Sequence, residues 1–347
     1  MDRSGHVRVN KMASRQTWIL VGVLVLGALA LVAVAVVPLS PEDVPQASGQ
    51  PGRRSSSRQA TRVNWSQVPI DRQRIYGYLK QICALGPRPS GSPGMQQQIA
   101  LLQKHFQQLG AQVEQQSFTV RHPLHGAPVQ MTNLLVRWHP RKSQRVLLCA
   151  HYDTRPFPDR DPVDPRGVFL GANDGASGVA VLMELAHHLG KLELRYGVDF
   201  VFFDGEEFVF RETDPYFLGS EHFARSYARS RRNYRYRWGV LLDMVGDAEL
   251  TLYQEANSVR TAATRRLTRS IWNTARRLGV REFVPRVGYE VRDDHLPLNQ
   301  IARIPTCDVI DFHYPFWHTR QDVPEKCSPE SLAKVAWVML EWLKRLR

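Results

Sequence analysis

The apolar run Val198-Asp199-Phe200-Val201-Phe202-Phe203 leads directly into Asp204-Gly205-Glu206-Glu207. Consecutive aromatic and β-branched residues from Phe200 to Phe203 read as a central strand, and such a strand belongs in a sheet covered by helices on both faces. Two adjacent carboxylates then follow a glycine turn. Like charges at the mouth of an apolar strand are costly unless a cation binds there or one of them keeps its proton. A metal site with a separate acid/base has this form: one carboxylate ligates and its neighbour moves protons. The same residues also suit a solvated acidic turn, and the rest of the chain decides between the two.

Buried strands alternate with helices through the remainder. Ile70 to Cys83 places Ile75, Tyr78, Leu79 and Ile82 at helical spacing. The Gly/Pro-rich run 86–94 is a loop, and Met95 to Leu109 is a second helix stopped by Gly110. Val113 to Val120 and Val129 to Trp138 read as paired strands. Arg145 to Cys149, Gly239 to Val245 and Thr306 to Ile310 are further buried strands. Val179 to Leu189, with Val179, Leu182, Met183, Ala186 and Leu189 on one face, Thr261 to Leu278 and Leu332 to Leu346 are helices. The pattern predicts an α/β fold, a three-layer sandwich with a central, mostly parallel mixed sheet flanked by helices. Ligands in such sheets gather at the carboxyl ends of the strands.

Ahead of this part, Trp18 to Val37 carries no charge. At roughly 1.5 Å per residue it spans the ~30 Å hydrocarbon core of a bilayer as one transmembrane helix. Arg3, Arg8, Lys11 and Arg15 precede it, and Glu42 and Asp43 follow. The positive-inside rule therefore leaves residues 1–17 as a cytoplasmic tail and everything after the 18–37 span on the far side. The stretch exceeds the ~7–15 apolar residues of a secretory signal peptide, which favours an uncleaved signal anchor over cleavage near Ala33-Val34-Ala35. Residues 38–66, rich in Pro, Ser, Gly, Gln and Arg, form a flexible tether. Residues 67–347 form the folded domain, expected in a periplasm or a secretory lumen.

The formal charge of +13 does not imply a nucleic-acid partner on that side of a membrane. Part of it lies in the tail and tether. The cluster Arg225, Arg229, Arg231, Arg232, Arg235 and Arg237, interleaved with Tyr227, Tyr234 and Tyr236, reads as a solvated helix and loop, with an anionic membrane surface as the alternative. The four cysteines, Cys83, Cys149, Cys307 and Cys327, permit two disulfides without fixing their pairing; Cys149 and Cys307, in apolar strand-like runs, also read as buried small hydrophobes. No Cys-x-x-Cys spacing exists for a thiolate zinc site.

Five strand or loop ends carry metal-type side chains: His151 after RVLLCA, Asp174 in GANDGASG, Glu206-Glu207 after VFFDG, Asp243 at the end of WGVLLD, and His318 in FWHT. Each alone has a plain explanation, such as a helix cap for Asp174 or a packed loop histidine for His318. His187 and His188, late on a helix, read as surface residues. Together, two histidines, two aspartates and a glutamate without cysteine suit zinc bound through nitrogen and oxygen.

The ordered segments HYDT, GANDGASGVAVLMELA, VDFVFFDGEE, FLGS, GVLLDMVGD, DDHLPL and WHT resemble the zinc-dependent exopeptidase family of di-zinc aminopeptidases, and within it the glutaminyl-peptide cyclotransferases. The likeness covers essentially all of 67–347. It implies one zinc held by Asp174, Glu207 and His318, with Glu206 as proton shuttle. It also implies Asp243 and Asp293 as hydrogen-bonding carboxylates of the site and Trp317 as the aromatic beside the zinc histidine. The aminopeptidases imply a second zinc on His151 and Asp243, bridged by Asp174. Two departures stand out. The animal cyclases carry a tryptophan shortly after the glutamate pair, where this chain reads Phe208-Val209-Phe210-Arg211-Glu212-Thr213; Phe208 and Phe210 are candidate pocket walls or plain core. Cys149 is offset from the position of a family disulfide, which is not carried over.

Three functions compete at this point. The first is cyclisation of N-terminal glutamine on peptides or proteins to pyroglutamate. The second is hydrolysis of N-terminal residues by a di-zinc aminopeptidase. The third, a binding ectodomain, sits poorly with a full complement of ligands and a shuttle glutamate.

Overall fold

The structure, a computed structural model, describes residues 63–346. The tail, the apolar segment 18–37 and the tether as far as residue 62 lie outside the described residues. Among the described residues no helix is long and apolar enough to cross a membrane.

The chain runs α1 (Arg72–Cys83), α2 (Pro93–Gln108), β1 (Gln112–Arg121), β2 (Pro128–Trp138), β3 (Gln144–His151), α3 (Ala176–Leu189), β4 (Gly197–Phe203), α4 (Leu218–Arg229), β5 (Arg235–Asp243), β6 (Leu252–Gln254), α5 (Ala262–Leu278), β7 (Phe283–Val287), α6 (His295–Gln300), β8 (Thr306–Ile310) and α7 (Pro329–Arg345). Six strands form one sheet in the order β1-β2-β4-β3-β5-β8. The β1/β2 and β2/β4 pairs are antiparallel, and β4/β3, β3/β5 and β5/β8 are parallel. The sheet is therefore mixed and mostly parallel. β6 and β7 pair apart from it.

Local chemistry starts the helices where the sequence supplies caps. The side chains of Asp71, Ser92, Thr261 and Ser328 accept backbone N–H groups at the starts of α1, α2, α5 and α7, each cap worth about 1 kcal/mol. Strand residues then alternate between two buried faces. Val146, Leu148, Ala150, Phe200 and Phe202 pack with residues of α1, α2, α3 and α7. Leu147, Cys149, Val201 and Phe203 pack with Phe223 of α4 and Leu298 of α6.

Two expectations change here. α3 does not bury one face: Ala180, Val181 and Leu185 are as buried as Val179 and Leu182, because α1 and α7 cover the side turned away from the sheet. The cysteines do not use the two disulfides their number permits; all four are free and buried, which for Cys149 and Cys307 matches the reading as small buried hydrophobes. Cys149 and Cys307 pack on opposite faces of the sheet, where no bridge can form between them.

The arginine–tyrosine stretch is engaged locally in part. Arg225 pairs with Glu221 at 3.0 Å, Arg232 lies 5.4 Å from the Tyr227 ring centroid and 5.5 Å from that of Tyr234, and Arg237 lies over Trp238. What positions the site is the parallel half of the sheet. The carboxyl ends of β4, β3, β5 and β8 open on one edge, so the segments carrying His151, Glu206, Glu207, Asp243 and His318 all leave the sheet there.

Candidate metal centre and active site

Loop backbone places the chemistry. Asp174 sits just before α3, and the cap Gly175 has φ +93°; a Cβ there would lie 2.7 Å from the Asp153 carbonyl oxygen. Gly205, with φ +76°, turns the chain from β4 into Glu206-Glu207, a conformation that favours glycine. Two buried carboxylates then grip these turns by their N–H groups. Asp322 accepts from Asn173 at 2.8 Å and Asp174 at 3.1 Å. Asp153 accepts from Glu206 at 3.2 Å and Glu207 at 3.0 Å. Met244 and His318 adopt φ of 45° and 56°, strain of order 1–3 kcal/mol apiece that the surrounding packing must hold.

The oxygen and nitrogen atoms of Asp174, Glu207 and His318 lie within 4.8 Å of one another. His318 Nε2 is 2.7 Å from Glu207 Oε1 and 3.6 Å from Asp174 Oδ2. Asp174 Oδ2 is buried with no hydrogen-bond partner. The second ring nitrogen, His318 Nδ1, faces Asp159 Oδ1 at 3.2 Å, which aims Nε2 inward. An imidazole and two carboxylates converging on one point, with an orphaned buried oxygen among them, fit zinc. His151 Nε2 is 3.1 Å from both Asp174 Oδ1 and Asp243 Oδ1. This makes a second triad that shares Asp174.

Proton affinities separate neighbours. Burial raises the Asp174 carboxyl to about 6, helped by the charge of Glu207. Burial opposes ionisation of His318, yet Glu207 and Asp159 raise it to about 9. Glu207 is held down at about 2: burial pushes it up, and the His318 charge overrides that. Burial drives Glu206 well above the usual carboxylate range, with the charges of Glu207 and Asp293 adding to it and His151 opposing. Asp293 is raised likewise by burial and by Asp243 and Asp294. Environment thus sets the adjacent glutamates apart in proton affinity.

Asp174, Glu206, Glu207, Asp243, Asp293, Trp317 and His318 line one cavity of about 340 Å³. The structure brings His151 to it through Asp174 and Asp243. Trp317 lies against His318, with ring centroids 4.2 Å apart and the planes tilted by 43°. Phe208 and Phe210 do not wall this cavity. They pack against His122, at 5.3 and 4.4 Å between centroids, and line a neighbouring cleft. Phe312 and Tyr216 are the further aromatic walls. His187 is no free surface residue either, since its Nε2 lies 2.6 Å from the Tyr78 hydroxyl.

Sequence reasoning missed the clamps Asp153 and Asp322 and the pair Arg155 and Asp159. Arg155 donates to Asp159 at 2.9 and 2.7 Å and reaches Glu207 Oε1 at 3.5 Å. The His-x-Asp spacing of His151 and Asp153 was the one available signal. A third group, Asp293, His295 and Asp308, is also compact and buried; His295 lies 3.4 Å from Glu255 and 3.6 Å from Asp308.

The sequence pattern of peptidase family M28 matches residues 133–343. The crystal structure of Fimbriiglobus ruber glutaminyl cyclase is similar at 41% identity and a TM-score of 0.77, covering 80% of this chain and 96% of that one. A Zn-dependent exopeptidase from Parabacteroides distasonis is similar at 30% identity and a TM-score of 0.74, covering 80% of this chain and 100% of that one. The glutaminyl-peptide cyclotransferase-like protein of Bos taurus is 27% identical over 87% of this chain and 83% of its own length.

Proposed function

The chain belongs to peptidase family M28, and from that premise we propose that it cyclises the N-terminal glutamine of peptides or proteins to pyroglutamate, releasing ammonia. The observation that carries this reading is the meeting of Asp174, Glu207 and His318 in one small cavity with two proton-holding carboxyls, Glu206 and Asp293. The likeness to glutaminyl cyclases along most of the chain supports it.

Asp174, Glu207 and His318 would hold zinc, which supplies Lewis-acid polarisation of an amide carbonyl when bound. The rest is done by the chain. The cavity confines the substrate so that its α-amine lies against its own side-chain amide carbon, and this proximity removes much of the entropic barrier. Glu206 takes a proton from the attacking amine and returns one to the departing ammonia. Its raised proton affinity suits both halves of that cycle. Asp293 and Asp243 hold the moving proton in line with Glu206. Trp317, with Phe312 and Tyr216, walls the pocket against water, and none is consumed: one C–N bond forms as another breaks.

A di-zinc aminopeptidase is the second reading. The triad of His151, Asp174 and Asp243 favours it, since it offers a second metal position. Purified protein given glutamine-peptides and aminoacyl anilides tests the two. Ammonia release without anilide cleavage, abolished by chelation and restored by zinc at one equivalent per chain, is the expected result. Anilide cleavage without ammonia would replace the first reading by the second. The apolar segment 18–37 supports an anchored protein with its catalytic domain on the extracytoplasmic side, which protease accessibility in intact cells would check.

A further inference from the structure

The floor of the cavity is densely acidic, but its mouth is not. Of the cations that line it, Arg155 is spent on Asp159 and Glu207. Arg160 and Arg292 are exposed at the same cavity, and neither guanidinium has a carboxylate partner among the described residues. They come from different segments. Arg160 is tied to the ligand loop, its N–H donating to the His318 carbonyl at 3.1 Å, and its guanidinium lies 3.8 Å from the centroid of the Trp317 ring. That contact occupies a guanidinium face and leaves its edge N–H donors free for a carboxylate. Arg292 stands between buried Val291 and buried Asp293. Glu212 is the one exposed carboxylate at the mouth without a cation partner, so the free rim charges favour an anion by two to one.

This inference rests on the glutamine-cyclising reading. We propose that the mouth selects peptides whose residue after the N-terminal glutamine is acidic, with Arg160 and Arg292 receiving its carboxylate. With the glutamine on the cavity floor, each further residue advances the chain by roughly 3.3–3.6 Å. The second side chain therefore reaches the rim. Exposed pairs of this kind are individually modest, about 2- to 5-fold in kcat/KM per arginine, and are weakened by salt.

The test uses the full-length protein and C-terminally amidated Gln-Glu, Gln-Ala and Gln-Lys peptides, so that the glutamate side chain is the only carboxylate. Ammonia release is followed at low and high ionic strength for the unaltered protein, Arg292→Glu and Arg160→Gln. The readout is the Gln-Glu to Gln-Lys ratio of kcat/KM within each protein, which cancels differences in active fraction. The expected ratio is about tenfold in favour of Gln-Glu, carried by KM, shrinking in high salt. It falls in Arg160→Gln and inverts in Arg292→Glu. Equal kcat/KM for the peptides, or a preference that both substitutions leave untouched, overturns the inference while the cyclase reading stands. Release of ammonia from none of the peptides overturns that reading and this inference with it.

Discussion

Toward the amino ends of β3, β4 and β5 sit Arg145, Asp199 and Tyr236; at or just beyond the carboxyl ends of the same strands sit His151, Glu206 and Asp243. Burial penalises charge at both ends alike. The amino-end set answers with mutual pairing. Arg145 donates Nε to Asp199 at 3.0 Å, binds the other Asp199 oxygen through Nη2, and spends further N–H groups on the carbonyls of Trp138, His139, Lys142 and Val198. The Tyr236 hydroxyl donates to Asp199. No buried atom of Arg145 or Asp199 lacks a partner. The carboxyl-end set is left open. Asp174 Oδ2, Asp293 Oδ2, Asp294 Oδ2 and His151 Nδ1 are buried without hydrogen-bond partners. A closed set of bonds is what a fold needs, whereas open valences facing a cavity are what a cation or a substrate needs.

The sharpest way to break the contrast is Glu206→Gln. It keeps the shape and removes the proposed proton carrier, so kcat should fall roughly 10²- to 10⁴-fold. Because burial already disfavours the Glu206 charge, the thermal midpoint should hold or rise; a large loss of stability would move Glu206 to the structural class. Next in size is Asp199→Ala at the opposite end, which strands the Arg145 charge. A destabilisation of about 3–5 kcal/mol in urea unfolding is expected, with kcat per folded molecule unchanged. A drop in kcat without a stability cost would mean that the amino end also serves the reaction. Smaller is Tyr236→Phe, which deletes one hydroxyl from the Asp199 carboxylate. It should cost about 1.5–3 kcal/mol, the range for a hydrogen bond to a charged group, and leave KM alone.

The two ends were unequally legible in the sequence. The parallel half of the sheet showed in runs such as Val146 to Cys149 and Phe200 to Phe203. Once those strands are parallel, the segments leaving their carboxyl ends must converge, which is why His151, Glu207, Asp243 and His318 could be expected from sequence to lie near one another. Arg145–Asp199 was invisible, since a lone arginine starting one strand and an aspartate inside another carry no spacing signal; only the register of β3 against β4, Leu147 opposite Asp199, brings them together. Asp153 and Asp322 were missed as clamps for a related reason: they bind backbone N–H groups of turns whose paths are set by tertiary packing. Only the arginine-bearing second half of α4 was legible as a helix; its start was not, because the entry residue, Phe217, is left-handed at φ 62° and makes no side-chain cap. α6 is short and holds Pro297, and β7 holds Pro285, both against local propensity. For Phe208 and Phe210 the sequence left pocket wall and plain packing open; the turn after Gly205 sends them to His122, away from the cavity.

The mildest test of the contrast is the pH dependence of metal binding, an effect the paired amino end has no means to produce. In the metal-free protein His318 holds its proton up to about 9 and Asp174 up to about 6. Glu207, at about 2, is already ionised. A cation must displace those protons, so the sign follows directly: affinity weakens as pH falls. Between about pH 9 and 6 one proton, that of His318, is displaced, and the dissociation constant for zinc should rise about tenfold per pH unit. Below about 6 the Asp174 proton joins it and the dependence steepens. Competition with a chelator of known affinity at pH 8 and pH 7 gives the slope, and proton release in weak buffer counts the protons independently. His318→Asn should remove the dependence above pH 6 along with most of the affinity. A flat profile in the unaltered protein would mean that His318 is not a ligand, and the open valences at the carboxyl end would then need another occupant.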